Sequence, residues 1–234
     1  SGVLNGLDTE VWDPARDASL ARRFGPADAT AGKGACKEAL RRECGLEARP
    51  ERPLIGVVSR LDYQKGLDLA IAALEPLLGR VQFVVLGTGD PALSERLAAL
   101  KSRHPGAVHF QSTFDEPFAH RVYAASDLFL MPSRSEPCGL GQMIAMRYGA
   151  VPVAARTGGL VDTVFEDDSA GRSANGFLCA PNDQASLSAA LVRAVDAYRG
   201  PRWEALVRAA MAGDFSWDRS VESYLRIYRQ VARP

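Results

Sequence analysis

The stretch that decides the fold is MPSRSEPCGLGQMIAMRYGAVPVAARTGGLVDTV, from Met131 to Val164. It predicts a buried strand, a polar loop with one acid, a helix that opens on glycine, a second short strand, and a Thr-Gly-Gly turn into another helix. Such strand-to-helix turns expose backbone N–H groups, which hold anionic ligands in α/β proteins. The stretch therefore indicates an α/β sheet with an anion site at one edge.

The same alternation continues on both sides of this stretch. Apolar runs are short and bounded by glycine, proline or charged turns, as expected of parallel strands buried on both faces. The predicted strands are Leu54–Val58, Val81–Leu86, Val108–Phe110, Leu128–Met131, Val151–Ala154 and Gly176–Cys179. The predicted helices lie near 67–78, 91–103, 116–125, 139–148, 159–166 and 184–199. This order predicts an α/β fold with a doubly wound, Rossmann-like parallel sheet.

Three units are predicted along the chain. Residues 1–50 form an interdomain linker with a packing helix, residues 51–215 form the Rossmann-like domain, and residues 216–234 form a C-terminal helix. Ser216 is the expected N-cap of that last helix, and Trp217 favours its packing onto the sheet layer. The helix carries one apolar stripe, formed by Val221, Tyr224, Leu225 and Tyr228.

The composition of the chain argues against several classes of function. The chain of 234 residues has a formal net charge of zero, so no long-range field favours nucleic acid or an anionic membrane. No apolar run approaches the roughly 20 residues of a membrane-spanning helix. The cysteines have neither the paired spacing nor the neighbouring histidines of a metal site. We therefore expect a cytoplasmic protein (plastid-stromal, if the source is a plant or alga) without nucleic acid, membrane, metal or cofactor.

Topology brings charged loops together. In a doubly wound sheet, ligands bind outside the carboxyl ends of the strands, where the strand order reverses. With the order 3-2-1-4-5-6, this point lies between the first and the fourth strand. The loop after the first strand carries Arg60 and Lys65, and the loop after the fourth carries Arg134 and Glu136. Cations and an acid that are distant in sequence are therefore expected to share one crevice.

The residue types suit a substrate with a phosphate and a sugar. Arg60 offers a planar fork for phosphate oxygens, and Lys65 supplies a compact charge that can follow charge onto a leaving diphosphate. Glu136 suits hydrogen bonds to sugar hydroxyls, or stabilisation of positive charge on a sugar carbon. A simpler interpretation stays open for each residue: the cations as solvated loop charges, and the acid as a complement to a helix dipole.

Several motifs occur in the order found in one family: GVLNGLDTEVWDP (2–14), SRLDYQKGLDL (59–69), GTGDP (87–91), PSRSEPCGL (132–140), RTGGLVDTV (156–164) and FSW (215–217). Through them the chain resembles the C-terminal domain of bacterial glycogen synthase and plant starch synthase. These are retaining glucosyltransferases of the GT-B type, with two facing Rossmann domains. The combination of PSRSEPCGL with RTGGL is specific, whereas a single glycine-rich piece is not.

The resemblance implies roles for individual residues. Arg60 and Lys65 match the pair that binds the nucleotide-sugar diphosphate and stabilises it on departure, and Glu136 matches the acid beside the donor glucose. Phe114 falls where the family places an aromatic ring against adenine, although an aromatic residue after a strand is often simply part of the core. The other implied donor contacts are the backbone of Cys138, Gly139 and Leu140 and the turn Thr157, Gly158 and Gly159.

The resemblance also implies the reaction and the partners. Glucose is transferred from ADP-glucose, or from UDP-glucose, to the non-reducing end of an α-1,4-glucan acceptor with retention and without a metal. The family's N-terminal Rossmann domain supplies a Lys-Gly-Gly loop, the acceptor groove and a catalytic histidine, and none of these is in this chain. We therefore expect the chain to be inactive alone.

Two departures and several alternatives remain. Gly141 stands where the family usually has threonine, and Ile144 stands where many related transferases, but not glycogen synthases, carry a second acid. Another retaining transferase, of the sucrose or trehalose-phosphate type, is the nearest alternative. A Rossmann module that binds nucleotide without catalysis is an alternative from another class. A nicotinamide enzyme would need a complete glycine-rich fingerprint after the first strand, where this chain has SRLDYQKG.

Overall fold

The computed structural model describes residues 2–166 and 173–232. Within them the chain forms a six-stranded parallel sheet with the strand order β3-β2-β1-β4-β5-β6. The strands are β1 Leu54–Val58, β2 Gln82–Leu86, β3 Val108–Gln111, β4 Leu128–Met131, β5 Val151–Ala155 and β6 Phe177–Cys179. The doubly wound fold and the predicted strand order are confirmed.

The described residues also form α1 Ala29–Cys44, α2 Leu67–Leu74, α3 Pro91–Arg103, α4 Glu116–Ala125, α5 Gly141–Arg147, α6 Leu160–Thr163, α7 Gln184–Tyr198, α8 Trp203–Met211 and α9 Trp217–Val231. Short 3-10 turns cover Tyr63–Lys65 and Glu75–Leu77. Helix α8 was not predicted, although its buried Leu206, Val207 and Ala210 have helical spacing. Helix α6 ends at Thr163, earlier than predicted.

The sheet is covered on both faces, which explains its apolar strands. Every residue of β2, β4, β5 and β6 is buried, whereas the edge strand β3 alternates buried and half-buried positions. Helices α2, α3 and α7 pack together in one layer, and α1, α4, α5 and α8 form the other. The loops at the carboxyl ends of the strands therefore meet at a single edge, where a ligand can approach.

Helix α1 is anchored to the ends of α4 and α5 by its buried Lys33 side chain. The Lys33 ammonium is buried and donates to the carbonyl oxygens of Ala124, Ser126 and Tyr148 at 2.8–3.0 Å. These carbonyls end α4 and α5, where the helix dipole favours a positive charge. Burial lowers the pKa of Lys33 to about 8, because desolvation disfavours the ammonium form.

Helix α9 does not pack onto the sheet layer, so this prediction is wrong. Ser216 does cap the helix through its hydroxyl, which accepts from the Arg219 N–H. The apolar stripe is present but faces outward, with Val221 46% exposed and Tyr228 64% exposed, and Trp217 is also 47% exposed. The faces of the sheet are covered by the other helices, with α2, α3 and α7 in one layer and α1, α4, α5 and α8 in the other. Residues 233 and 234 of the predicted unit lie outside the described residues.

The N-terminal segment and the start of α9 are joined. The Leu7 N–H donates to the Phe215 carbonyl at 2.7 Å, and Leu7 bridges Ser216 as two parallel strands would. The Ser220 hydroxyl donates to the Leu4 carbonyl at 2.8 Å. The first and the last described segments of the chain therefore lie side by side.

Candidate functional site

A crevice opens where the strand order reverses, as topology predicts. Strands β1 and β4 are neighbours, with Ile55 opposite Leu128, so the loops at their carboxyl ends face each other. The cavity between these loops measures about 440 Å³. Its lining includes Val58, Ser59, Arg60, Lys65, Leu67, Tyr123, Leu130, Met131, Pro132, Ser133, Glu136, Pro137, Cys138, Gly139, Leu140, Gly141 and Ile144.

The structure joins Lys65 directly to Glu136 across this cavity. The Lys65 Nζ lies 2.6 Å from the Glu136 Oε2, and the Ser133 hydroxyl donates to the same oxygen at 3.2 Å. The lysine side chain is 19% exposed and the glutamate side chain 9%, so the pair is largely shielded from water. The ammonium belongs to the more exposed member of the pair, so it can still be shared with an anionic ligand.

Arg60 lies at the mouth of the cavity and is far more exposed to water than Lys65. Its side chain is 73% exposed, and its Nη1 lies 3.1 Å from the Asp62 Oδ2. An ion pair that is this exposed contributes little to stability. The guanidinium is consequently able to turn from Asp62 toward a phosphate at small energetic cost. The structure thus brings Arg60, Lys65 and Glu136 to one cavity.

The loop after β4 requires glycine at position 139, which lines the cavity. Gly139 has φ +75°, and a Cβ there would lie 2.4 Å from the Gln142 Oε1. The Gln142 Nε2 donates to the Gly139 carbonyl at 2.8 Å and to the Cys138 carbonyl at 3.2 Å, which fixes the loop against α5. Cys138, Gly139 and Leu140 all line the cavity, and their contact with a donor sugar stays a prediction.

The Thr157–Gly159 turn lies behind this loop and is not among the lining residues. Gly158 has φ +48°, and a Cβ there would lie 2.0 Å from the Glu136 carbonyl oxygen. The Gly159 N–H donates to that same oxygen at 3.0 Å. The observed contact of Gly158 and Gly159 is therefore with the loop that carries Glu136, and Thr157 is half-buried beside them. A direct contact of this turn with phosphate stays a prediction.

Phe114 is separated from the cavity lining. It lies in the connection between β3 and α4, and it is 69% exposed. The interpretation of Phe114 as a core residue is therefore wrong. An exposed aromatic ring at the carboxyl edge of the sheet is free to stack on a planar group.

Sequence reasoning assigned no role to Tyr123 and Ser133, which shape the site, and it expected Arg134 to share the crevice. That expectation is wrong for the Arg134 side chain, which is absent from the cavity lining because its guanidinium binds Asp68 and the Tyr63 carbonyl. Tyr123 lines the cavity from α4, and burial raises the pKa of its phenol. Ser133 binds the acid, and Arg134 binds the loop that carries the cations. A sequence signal did exist for the last two, because both stand within the motif PSRSEPCGL beside Glu136.

Two further observations concern the described residues as a whole. Within residues 2–166 and 173–232, no group of three or more histidine, cysteine, aspartate or glutamate side chains is placed to hold a metal ion. Among the helices of this same part of the chain, none has the length and apolarity to cross a membrane.

Comparison with known proteins gives a consistent result. The family model described as glycosyl transferases group 1 matches residues 52–197. The glycogen synthase of Anaeromyxobacter dehalogenans strain 2CP-C is 51% identical over 233 residues, which are 99% of this chain and 49% of that protein. The glycogen synthase of Elusimicrobium minutum is 45% identical over 231 residues, which are 98% of this chain and 48% of that protein.

A solved structure extends the similarity to the fold. The catalytic domain of starch synthase IV from Arabidopsis thaliana, bound to ADP and acarbose, superposes with a TM-score of 0.91 at 41% identity. The match covers 99% of this chain and 49% of that one, so the chain spans about half the length of the relatives it matches. Since the family model covers more than half of its residues, the chain belongs to the group 1 glycosyl transferases.

Proposed function

We propose that this chain is the donor-binding, C-terminal half of a glycogen or starch synthase. The whole protein would transfer glucose from ADP-glucose to the non-reducing end of an α-1,4-glucan with retention of configuration. The observation that carries the proposal is the Lys65–Glu136 pair at 2.6 Å in a cavity whose mouth holds Arg60. The ADP bound to the Arabidopsis starch synthase, which is 41% identical, supports an ADP-sugar donor.

The geometry supports different roles for the two cations, which would bind the diphosphate, and for the acid, which would act on the sugar. Arg60 would leave Asp62 and bind diphosphate oxygens in a forked arrangement. Lys65 would follow the negative charge onto the departing diphosphate, and so stabilise the transition state more than the bound donor. As the lysine turns toward the diphosphate, Glu136 becomes more available to the sugar. The acid would stabilise positive charge on the sugar carbon, without acting as a nucleophile.

The remaining predicted contacts complete the donor site. The amides and glycine-lined surface of Cys138, Gly139 and Leu140 would meet the glucose, while the exposed ring of Phe114 would stack on the adenine. The turn that contains Thr157 would support the loop from behind and complete the phosphate contacts. No metal or cofactor is needed for these steps.

The exposed apolar stripe of α9 supports the proposal of a partner domain that would cover it. The chain covers about half the length of its relatives, and the stripe of α9 is exposed. The outward stripe of α9 is therefore proposed to pack against an N-terminal Rossmann domain, which would carry the acceptor groove. We keep the division into 1–50, 51–215 and 216–234, and a cytoplasmic location, as part of this proposal.

The proposal is tested by glucose transfer in the full-length protein. Wild type is expected to transfer radiolabelled glucose from ADP-glucose to glycogen, and Lys65→Ala should lower kcat about 10²–10³-fold, since one transition-state contact is lost. Lys101→Ala is the matched control, because this α3 lysine contacts the Phe110 carbonyl and lies outside the cavity lining. Near-normal turnover of Lys65→Ala, or transfer to a sugar phosphate in place of glycogen, would contradict the proposal.

A further inference from the structure

The geometry points to Arg134 as a positioning residue that holds the loops after β1 and β4 at the separation where Lys65 meets Glu136. Its side chain is absent from the cavity lining, so it acts through other residues. The inference deepens the proposed function, on which its kinetic test rests, but its structural test does not depend on that function.

All three nitrogen atoms of the Arg134 guanidinium donate hydrogen bonds. The Nη1 and Nη2 atoms donate to the two carboxylate oxygens of Asp68, each at 2.8 Å. The Nη1 also donates to the Tyr63 carbonyl at 2.8 Å, and the guanidinium carbon lies 3.9 Å from the centre of the Tyr63 ring. The Nε donates to the Asn182 Oδ1 at 2.8 Å. One side chain thus forms hydrogen bonds with three structural elements.

These segments all lie at the carboxyl edge of the sheet. Tyr63 belongs to the loop after β1, Asp68 to the first turn of α2, and Asn182 to the loop after β6. Asn182 has φ 55°, a left-handed conformation that costs energy for a residue other than glycine. Its side-chain bond to Arg134 gives this conformation a physical reason.

Backbone contacts transmit the position of Arg134 to the catalytic pair. The Arg134 N–H donates to the Gln64 carbonyl at 2.8 Å, and the Gln64 Nε2 donates to the Ser135 carbonyl at 3.1 Å. Gln64 directly precedes Lys65, and Ser135 directly precedes Glu136. The two loops are therefore tied at the residues next to the pair, and the side-chain fork of Arg134 ties them again from outside the cavity.

The ion pair between Arg134 and Asp68 is shielded from water, so it can fix the position of the loops. The Arg134 side chain is 13% exposed, and the hydrogen bonds from Arg134 lower the pKa of Asp68, so the acid stays ionised at neutral pH. Bidentate arginine–carboxylate pairs fix geometry as well as charge. A lysine at this position would supply one ammonium where several fixed donors are needed. Charge alone is therefore not expected to replace Arg134.

The test uses the full-length protein with Arg134→Lys. We expect kcat with ADP-glucose to fall about a hundredfold, the loss typical of a misplacement of about 1 Å, while the KM for the donor changes much less. The matched control is Arg193→Lys on α7, because Arg193 makes a similar fork to Glu166, at 2.7 and 3.1 Å, away from the cavity. This control should keep kcat within about twofold of wild type, as expected for an exposed pair.

A double-mutant cycle separates positioning from general damage. Asp68→Asn should lower kcat as Arg134→Lys does, and the combined variant should be little worse than either one, because both remove the same fork. Hydrogen exchange provides the readout that is independent of activity. In Arg134→Lys the amides of residues 59–66 and 133–136 should exchange faster, together with those around Asn182, while the rest of the domain and the Arg193→Lys control remain unchanged.

The outcomes are distinguishable. Near-wild-type kcat in Arg134→Lys, multiplicative effects in the double variant, or unchanged exchange in both loops would overturn the positioning role. Absence of glucose transfer by wild type would instead refute the proposed function, and the exchange measurement would then decide the role of Arg134. If Arg134→Lys does not fold, Asp68→Asn alone gives the same two readouts.

Discussion

Replacing Lys65 by methionine measures how strongly the central pair is coupled. Removing the ammonium leaves the Glu136 carboxylate, 9% exposed, with the Ser133 hydroxyl at 3.2 Å as its partner. Loss of one member of a fully buried pair costs about 3–5 kcal/mol, whereas exposed pairs contribute about 0–1 kcal/mol. Because Lys65 itself is 19% exposed, we expect an intermediate loss of about 2–3 kcal/mol in the free energy of unfolding.

Urea denaturation of wild type, Lys65→Met, Glu136→Gln and the double variant provides the assay. Glu136→Gln should cost about 1 kcal/mol or less, because the more exposed lysine can turn to water. The double variant should be at least about 1 kcal/mol more stable than the sum of the single losses predicts. Single losses that add within about 0.5 kcal/mol would refute the coupling.

Three further predictions follow from the described contacts. Phe114→Ala should weaken ADP binding to the full-length protein by about 1–3 kcal/mol, as for loss of a base-stacking ring, without changing stability; unchanged affinity in calorimetry removes the stacking role. Gly158→Ala should destabilise the chain by at least about 2 kcal/mol in thermal unfolding, because of φ +48° and the close Glu136 carbonyl, while Gly79→Ala, with open space around its Cβ, is the neutral control. Folding lowers the pKa of Lys33 from 10.5 to about 8, so the unfolded chain binds more protons between these values. The stability of wild type relative to Lys33→Met should therefore rise with pH over that window, by at most about 3 kcal/mol; a flat or falling difference contradicts this.

Much of the fold could be predicted because its signals are local. The strands Leu54–Val58 and Leu128–Met131 and the helices Pro91–Arg103 and Glu116–Ala125 agree with the predicted bounds residue for residue. Apolar runs bounded by turn residues define such elements without tertiary information. The strand order then followed from the general rules of doubly wound sheets, and it placed Arg60, Lys65 and Glu136 at one edge.

The remaining features depend on tertiary contacts that no local pattern encodes. The stripe of α9 indicates an apolar face but not which surface covers it, so its packing was predicted wrongly. The glycines at 158 and 159 suggested phosphate binding, whereas their observed neighbour is the backbone of the Glu136 loop. The side-chain partners of Arg134 come from residues 63–68 and from Asn182, both distant from it in sequence, and only the folded chain selects Asp68 among the many acids.

The most direct measurement is a crystal structure of the full-length protein with ADP. The account predicts the diphosphate in the 440 Å³ cavity, with its oxygens within hydrogen-bonding distance of both Arg60 and Lys65 and the adenine against Phe114. ADP bound outside this cavity, or bound in it while Arg60 and Lys65 keep their contacts with Asp62 and Glu136 and leave the diphosphate untouched, would contradict the account.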